Sequence, residues 1–176
     1  MKKLALSAIA GGILLFAWSA VSWMVLPWHN ATLKAFKGEP FVIATMVAGK
    51  NDSGVYVMPY MQHGDKDAAK RNAGKPFAFV VYNQKGWGNS GVHMGLALLW
   101  DILSAFLAAL LLFKTKIKDF GQKVLFVTAL GLFAGMAVDI SNMVWWGYSL
   151  SFTALALADL LISWCLAGAV IAKILD

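Results

Sequence analysis

Residues 92–113 have the sequence VHMGLALLWDILSAFLAALLLF, an apolar run with a single charged side chain, Asp101. An α-helix rises about 1.5 Å per residue, so a run of this length crosses the roughly 30 Å hydrocarbon core of a bilayer. Three further apolar runs of similar length occupy residues 4–26, 123–145 and 150–172. The sequence therefore predicts an all-α membrane protein built as a four-transmembrane-helix bundle.

The composition agrees with this class. Hydrophobic residues make up 60% of the chain and the mean hydropathy is +0.67, well above the level of a soluble domain. The net charge is +6, but the basic residues are dispersed and form no compact stripe, so no nucleic-acid partner is predicted. The single cysteine, Cys165, cannot form an intramolecular disulfide, which excludes a dithiol oxidoreductase acting alone.

The lysines next to the spans predict the topology. They precede the first span, separate the second from the third, and follow the fourth: Lys2, Lys3, Lys114, Lys116, Lys118, Lys123 and Lys173. By the positive-inside rule, both termini are predicted to be cytoplasmic. The predicted location is a bacterial inner (cytoplasmic) membrane, because this topology needs no organelle signal. A cleaved signal peptide is the competing interpretation of residues 4–26, but its apolar core is usually only about 7–15 residues long, which favours a retained helix.

Residues 29–91 are predicted to form a small extracytoplasmic α+β domain between the first and second spans. A short amphipathic helix is expected to begin near Pro40 and to end before Gly49. Residues 54–61 and 76–83 are rich in β-branched and aromatic side chains, which predicts an antiparallel β-hairpin. An isolated hairpin is marginal in water, so it is expected to pack on the outer mouth of the bundle or on a partner.

Three aspartates lie within the last three spans, and counting along each helix places them at nearly one depth. Asp101, Asp139 and Asp159 are each expected about 10–14 Å below the outer surface, at 1.5 Å per residue. A carboxylate at a helix centre costs roughly 2.5–3.5 kcal/mol on insertion scales, so three at one level suggest a shared polar site. Helical spacing and depth add three candidate neighbours near the mouth of that site: Asn142, His93 and Trp100.

Small residues and tryptophans frame the predicted site. Each span carries a narrow stripe of small or polar residues, and the Gly131-x-x-x-Gly135 spacing is typical of closely packed membrane helices. His29, which follows Trp28 after the first span, is expected at the membrane interface. Three tryptophans are too deep for a simple interfacial belt: Trp18, Trp23 and Trp100.

These features predict a binding or accessory protein more than an enzyme. A carboxylate-lined, tryptophan-walled pocket suits a lipid-like or cationic ligand, because aromatic faces attract cations. The bundle and hairpin are alternatively expected to dock on a larger membrane complex or on another copy of the chain. The cofactor is unidentified, and no metal is predicted because no local ligand motif occurs. In another alternative the aspartates serve only as packing contacts between helices.

The order of elements also resembles that of lipoprotein signal peptidase. That family has four spans, cytoplasmic termini, a strand element after the first span, and aspartates on spans three and four. The ALADLLI around Asp159 is similar to its terminal motif. The resemblance implies an intramembrane hydrolase in which Asp139 and Asp159 act as an acid–base dyad. The sequence departs from the family in three places: the family's asparagine is absent from residues 154–158, no asparagine–arginine frame surrounds Asp139, and the outer segment between spans three and four is very short.

Overall fold

The computed structural model describes residues 1–176 and contains four helices long and apolar enough to cross a membrane. Its elements in chain order are α1 (Lys2–Met24), α2 (Trp28–Thr32), α3 (Glu39–Ala48), β1 (Gly54–Met58), α4 (Ala68–Asn72), β2 (Ala78–Tyr82), α5 (Ser90–Lys114), α6 (Phe120–Gly135), a π-helical turn (Met136–Ile140), α7 (Ser141–Trp146) and α8 (Leu150–Leu175). The π turn joins α6 and α7 into one continuous apolar span, Phe120–Trp146. The predicted set of four apolar helices with a small two-stranded sheet is confirmed.

The four long helices are not packed equally against one another. α1 packs extensively against α5 and α8, and α8 packs extensively against α6. α5 and α6 make few contacts, although residues 115–119 join them directly. One side of the bundle, between α5 and α6, is therefore only loosely closed.

The up-and-down order of the helices divides the bundle into two halves. We call the half that carries both chain ends and the α5–α6 connection the terminal half, and the half joined to the β-hairpin the hairpin half. The terminal half holds the apolar core, which is built mainly from small side chains: Leu15, Ala105, Ala108, Ala109, Leu112, Val127, Ala167 and Ile171. At this end Lys123 of α6 also pairs with the carboxylate of Asp176, beyond the end of α8.

Close approach of α1 to α5 explains a glycine in the first span. A Cβ atom added to Gly12 would lie 2.5 Å from the Cα of Ile102, well inside van der Waals contact. Only glycine leaves room for the two backbones at this crossing. The small-residue stripe of the first span therefore works as such stripes do in other membrane bundles, where they let helix backbones meet.

The small domain between α1 and α5 contains an antiparallel hairpin, in which Gly54 of β1 pairs with Tyr82 of β2. The ring of Phe79 on β2 lies 4.6 Å, centroid to centroid, from that of Trp146 at the end of α7. This contact holds the hairpin over the end of the third span. α3 packs little against other elements, and the Phe41 side chain on it is 81% exposed.

Candidate functional site

A cavity of about 470 Å³ lies in the hairpin half of the bundle. This size is within the roughly 300–1,000 Å³ range of small-molecule sites. Asp101 from α5, Asp139 from the π turn and Asp159 from α8 all line it, and its lining contains neither lysine nor arginine. The remaining polar or aromatic lining includes Trp18, Ser19, Trp23, His29, Ser104, Ser163 and Trp164. The cavity is thus rich in hydrogen-bond acceptors and in aromatic surface.

Asp159 is the aspartate that the protein itself surrounds with hydrogen-bond donors. The indole Nε1 of Trp18 donates to its Oδ1 at 2.8 Å, and the hydroxyl of Ser22 donates to its Oδ2 at 2.7 Å. The Nε2 atom of His29 lies 2.9 Å from the same Oδ2. Trp28 completes the network by donating from its Nε1 to the Ser22 hydroxyl at 3.0 Å. This network fastens α8 to α1 and α2.

His29, which the sequence predicts at the depth of the membrane interface, is buried inside the protein. Only 4% of its surface is exposed, because residues 25–27 turn the chain back so that α2 packs against α1 and α8. Its ring stacks on Trp23 with centroids 3.8 Å apart and planes inclined by 9°. No sequence signal links His29 to Asp159, which lies 130 positions further along the chain. The nearest hint is Ser22, a polar residue on the inward stripe of α1.

Asp101 and Asp139 differ from Asp159 because neither makes a side-chain hydrogen bond within the protein, although both are half-buried. Asp139 lies in the π turn, a helix defect that is frequent at functional sites. No hydrogen bond joins Asp139 to Asp159. Two of the three carboxylates that line the cavity are therefore free of protein partners.

The other three predicted site residues lie outside the cavity lining. His93 is exposed, and its Nε2 is 2.7 Å from the carbonyl oxygen of Trp87. Trp100 is 64% exposed on the outside of the bundle. Asn142 is half-buried in α7, just beyond the π turn. Asn142 therefore does not share the cavity with Asp139, although only three positions separate them.

Trp164 of α8 marks the boundary between the cavity and the apolar core, because it lines the first and packs against the second. Its indole lies directly over Gly131 of α6. A Cβ atom at Gly131 would come within 2.1 Å of the Trp164 Cγ atom. The glycine therefore makes room for the ring, which forms the floor of the cavity.

The chemistry available in the cavity is that of acceptors and aromatic faces. Nowhere in the protein do three or more histidine, cysteine, aspartate or glutamate side chains lie close enough together to hold a metal ion. An anionic ligand would meet carboxylates and no lysine or arginine, and the lining imidazole of His29 is already paired with Asp159, whereas a cation would meet two carboxylates without partners. Searches of protein-family models, of curated proteins and of solved structures gave no match for this chain.

Proposed function

We propose that this is a small multi-pass membrane protein that binds a lipid-like or cationic ligand in the cavity of its hairpin half. The observation that carries the proposal is the state of Asp101 and Asp139. Both line the cavity, neither has a protein partner, and the lining offers no lysine or arginine to neutralise them, while its one imidazole, His29, is paired with Asp159. Charged groups inside a membrane are costly and usually functional, and a cationic ligand would offset this cost.

The arrangement of the helices suggests how a ligand enters. α5 and α6 pack only loosely against each other, so an amphipathic molecule can reach the cavity sideways from the bilayer. The tryptophans of the lining suit both the apolar part of such a ligand and its cationic group, since a cation–π contact contributes about 0.5–2 kcal/mol. The lipid bilayer would thus be both the solvent of the protein and the source of its ligand.

The proposed location is a bacterial inner membrane with both termini in the cytoplasm. Lysines at the terminal half support this orientation: Lys2, Lys3, Lys114, Lys116, Lys118, Lys123 and Lys173. With this orientation the cavity opens to the outer leaflet, below the hairpin domain. The exposed apolar surface of α3 would then rest in the outer lipid interface, or against a larger membrane complex or a second copy of the chain.

The hydrolase alternative is supported by one observation, namely that Asp139 and Asp159 line the same cavity. An acid–base dyad shares a proton between its carboxyl groups, and these two groups are not hydrogen-bonded to each other. Asp159 is moreover occupied by three donors. The packing alternative accounts for Asp159 but leaves Asp101 and Asp139 without a role, so binding explains more of the site.

The test is native mass spectrometry of the protein extracted from its own membrane in mild detergent. We expect a small-molecule adduct on the wild type that is lost in the Asp101→Asn/Asp139→Asn double variant. Asp119→Asn is the matched control, because Asp119 caps α6 at the terminal half and its amide analogue keeps the capping oxygen. An adduct of equal abundance in all three proteins, or none in any, would contradict the proposal. A hydrolytic activity of the wild type that is lost in both Asp139→Asn and Asp159→Asn would favour the acid–base dyad instead.

A further inference from the structure

The imidazole of His29 uses only one of its two nitrogens within the protein. Its Nε2 lies 2.8 Å from the Ser22 hydroxyl and 2.9 Å from Oδ2 of Asp159. Its Nδ1 makes no hydrogen bond. Ser7 Oγ and Thr153 Oγ1 are the only fully enclosed side-chain nitrogen or oxygen atoms without a partner. Nδ1 of His29 is therefore not enclosed, and the ring to which it belongs lines the cavity.

The hydrogen-bond network determines which nitrogen carries the proton. The hydroxyl of Ser22 has one hydrogen and donates it to Oδ2 of Asp159, while it accepts from the indole of Trp28. Nε2 of His29 faces the same carboxylate oxygen, and because an ionised carboxylate only accepts, we assign the donor role in that contact to Nε2. In the neutral ring, Nδ1 then has a free lone pair and is an acceptor. An aspartate that fixes the tautomer in this way is a common means of preparing the opposite nitrogen for a ligand.

On this basis, and resting on the function proposed above, we propose that the ligand is a protonated amine with an apolar body, and that His29 Nδ1 accepts a hydrogen bond from its N–H. Asp101 and Asp139 supply the negative charge from α5 and from the π turn.

Two observations favour an amine with an N–H group over a quaternary ammonium ion. The titratable groups of the lining are Asp101, Asp139, Asp159 and His29. Asp159 and His29 are paired with each other through Nε2, so the acceptors left for a ligand that donates hydrogen bonds are Asp101, Asp139 and Nδ1 of His29. The face of Trp23 next to His29 is covered by the stacked imidazole, so that part of the aromatic wall is not available for a cation–π contact. A quaternary group has no N–H to donate to the Nδ1 lone pair, whereas a protonated amine has, so only the amine gains this hydrogen bond.

The experiment compares dodecylamine with dodecyltrimethylammonium, which have the same alkyl chain and charge. Dissociation constants are measured by calorimetry for the full chain in lipid nanodiscs, with empty nanodiscs as the blank. We expect the wild type to bind dodecylamine at least about tenfold more tightly than the trimethyl analogue, as is typical for a hydrogen bond to a charged group. His29→Gln should lose this preference while it keeps the affinity for the trimethyl analogue. Glutamine can still donate to Asp159 from its terminal nitrogen but has no acceptor at the Nδ1 position.

The outcomes separate this inference from the proposed function. Equal affinity of the wild type for the two probes, lost in Asp101→Asn/Asp139→Asn, would overturn the role of His29 and leave the cation site standing. No binding of either probe above the empty nanodiscs would overturn both. The wild-type comparison does not depend on the folding of any variant. If His29→Gln does not fold, ¹⁵N-histidine spectra of the wild type decide, because amine binding must shift Nδ1 of His29 in the neutral Nε2–H tautomer, and an unchanged Nδ1 signal would contradict the proposal.

Discussion

The same four helices pack closely in the terminal half of this bundle and surround a cavity in the hairpin half. In the terminal half, alanines and glycines bring the helices into contact around an apolar core, and an ion pair joins Lys123 to Asp176. In the hairpin half, aspartates, serines and tryptophans surround a cavity of about 470 Å³. In the terminal half, small residues on facing helices allow the backbones to pack closely. In the hairpin half, polar and aromatic side chains replace them at the same helix faces, and a cavity remains between the helices.

The boundary between the two halves is built from two residues. Trp164 covers Gly131 and forms the floor of the cavity above the apolar core. Just beyond this level, the π turn interrupts the third span and contributes Asp139 to the lining. The apolar core of the terminal half thus ends at Trp164, and the cavity with its two partnerless carboxylates begins there.

The largest expected effect comes from breaking the close contact in the bundle. Gly12→Ala places a methyl group 2.5 Å from the backbone of Ile102 and should destabilise the fold by about 1–3 kcal/mol. Gly95→Ala is the matched control in α5, because a Cβ atom there meets nothing within 4 Å. Thermal unfolding in detergent measures both. Equal melting temperatures for the two variants would show that α1 and α5 are not closely packed.

The second prediction concerns the aspartate that is tied into the network. Asp159→Asn replaces one acceptor oxygen by an NH₂ group, which faces either the indole of Trp18 at the Oδ1 position or Ser22 and His29 at the Oδ2 position. We expect a loss of about 1–3 kcal/mol in the free energy of unfolding, the cost of leaving buried polar groups unpaired. Chemical unfolding in mixed micelles measures it, and wild-type stability of the variant would contradict the network.

The third prediction is the opposite behaviour of a partnerless aspartate. Asp101→Asn removes a carboxylate that makes no hydrogen bond in the protein, so the stability of the variant should equal or exceed that of the wild type. Its affinity for dodecylamine should fall about tenfold or more, because one of the two charges facing the ligand is lost. A stability loss like that of Asp159→Asn would mean that both residues are packing contacts.

The sequence predicts features that depend on neighbouring residues in the chain better than features that depend on contacts between distant segments. Apolar runs predict helices locally, and strand-forming residues such as those of β2 predict the hairpin, so these elements were expected correctly. Counting helical rise places Asp101, Asp139 and Asp159 at a similar depth, but that they line one cavity depends on how the helices pack. Cys165 and the lysines inform the class of protein and its predicted orientation, and they give no information about the cavity.

Two features of the site could not be predicted because they depend on tertiary contacts. The burial of His29 requires α2 to fold back onto α8, and its partner Asp159 is far away in the sequence. The π turn at Met136–Ile140 has no sequence signature, and Asn142, just beyond it, does not line the cavity. Trp100 lies on the outside of the bundle because depth alone does not determine which way a side chain faces.

The smallest expected effect is a pH dependence at the terminal half. The hydrogen bond from Lys123, with the charges of Lys123, Lys173 and Lys3, holds the pKa of Asp176 below its usual range. A carboxyl whose pKa is lowered by folding adds stability above its unfolded pKa of about 3.9, and this contribution is lost as the pH falls through the folded pKa. The melting temperature should therefore fall on acidification below about pH 4, and slightly less steeply in Asp176→Asn. An identical pH profile for the two proteins would exclude a contribution from the ion pair.

The most direct test of the contrast between the halves is thiol labelling at two positions one helical turn apart on α5. Ser104 lines the cavity and Ala108 belongs to the buried core. Single cysteines would be introduced at each position in a Cys165→Ser background, because Cys165 is exposed. They would then be treated with a small cationic methanethiosulfonate reagent, which reacts only with hydrated, ionised thiols. The account predicts rapid modification of Ser104→Cys, slowed by dodecylamine, and no modification of Ala108→Cys. Equal reactivity at the two positions would contradict it.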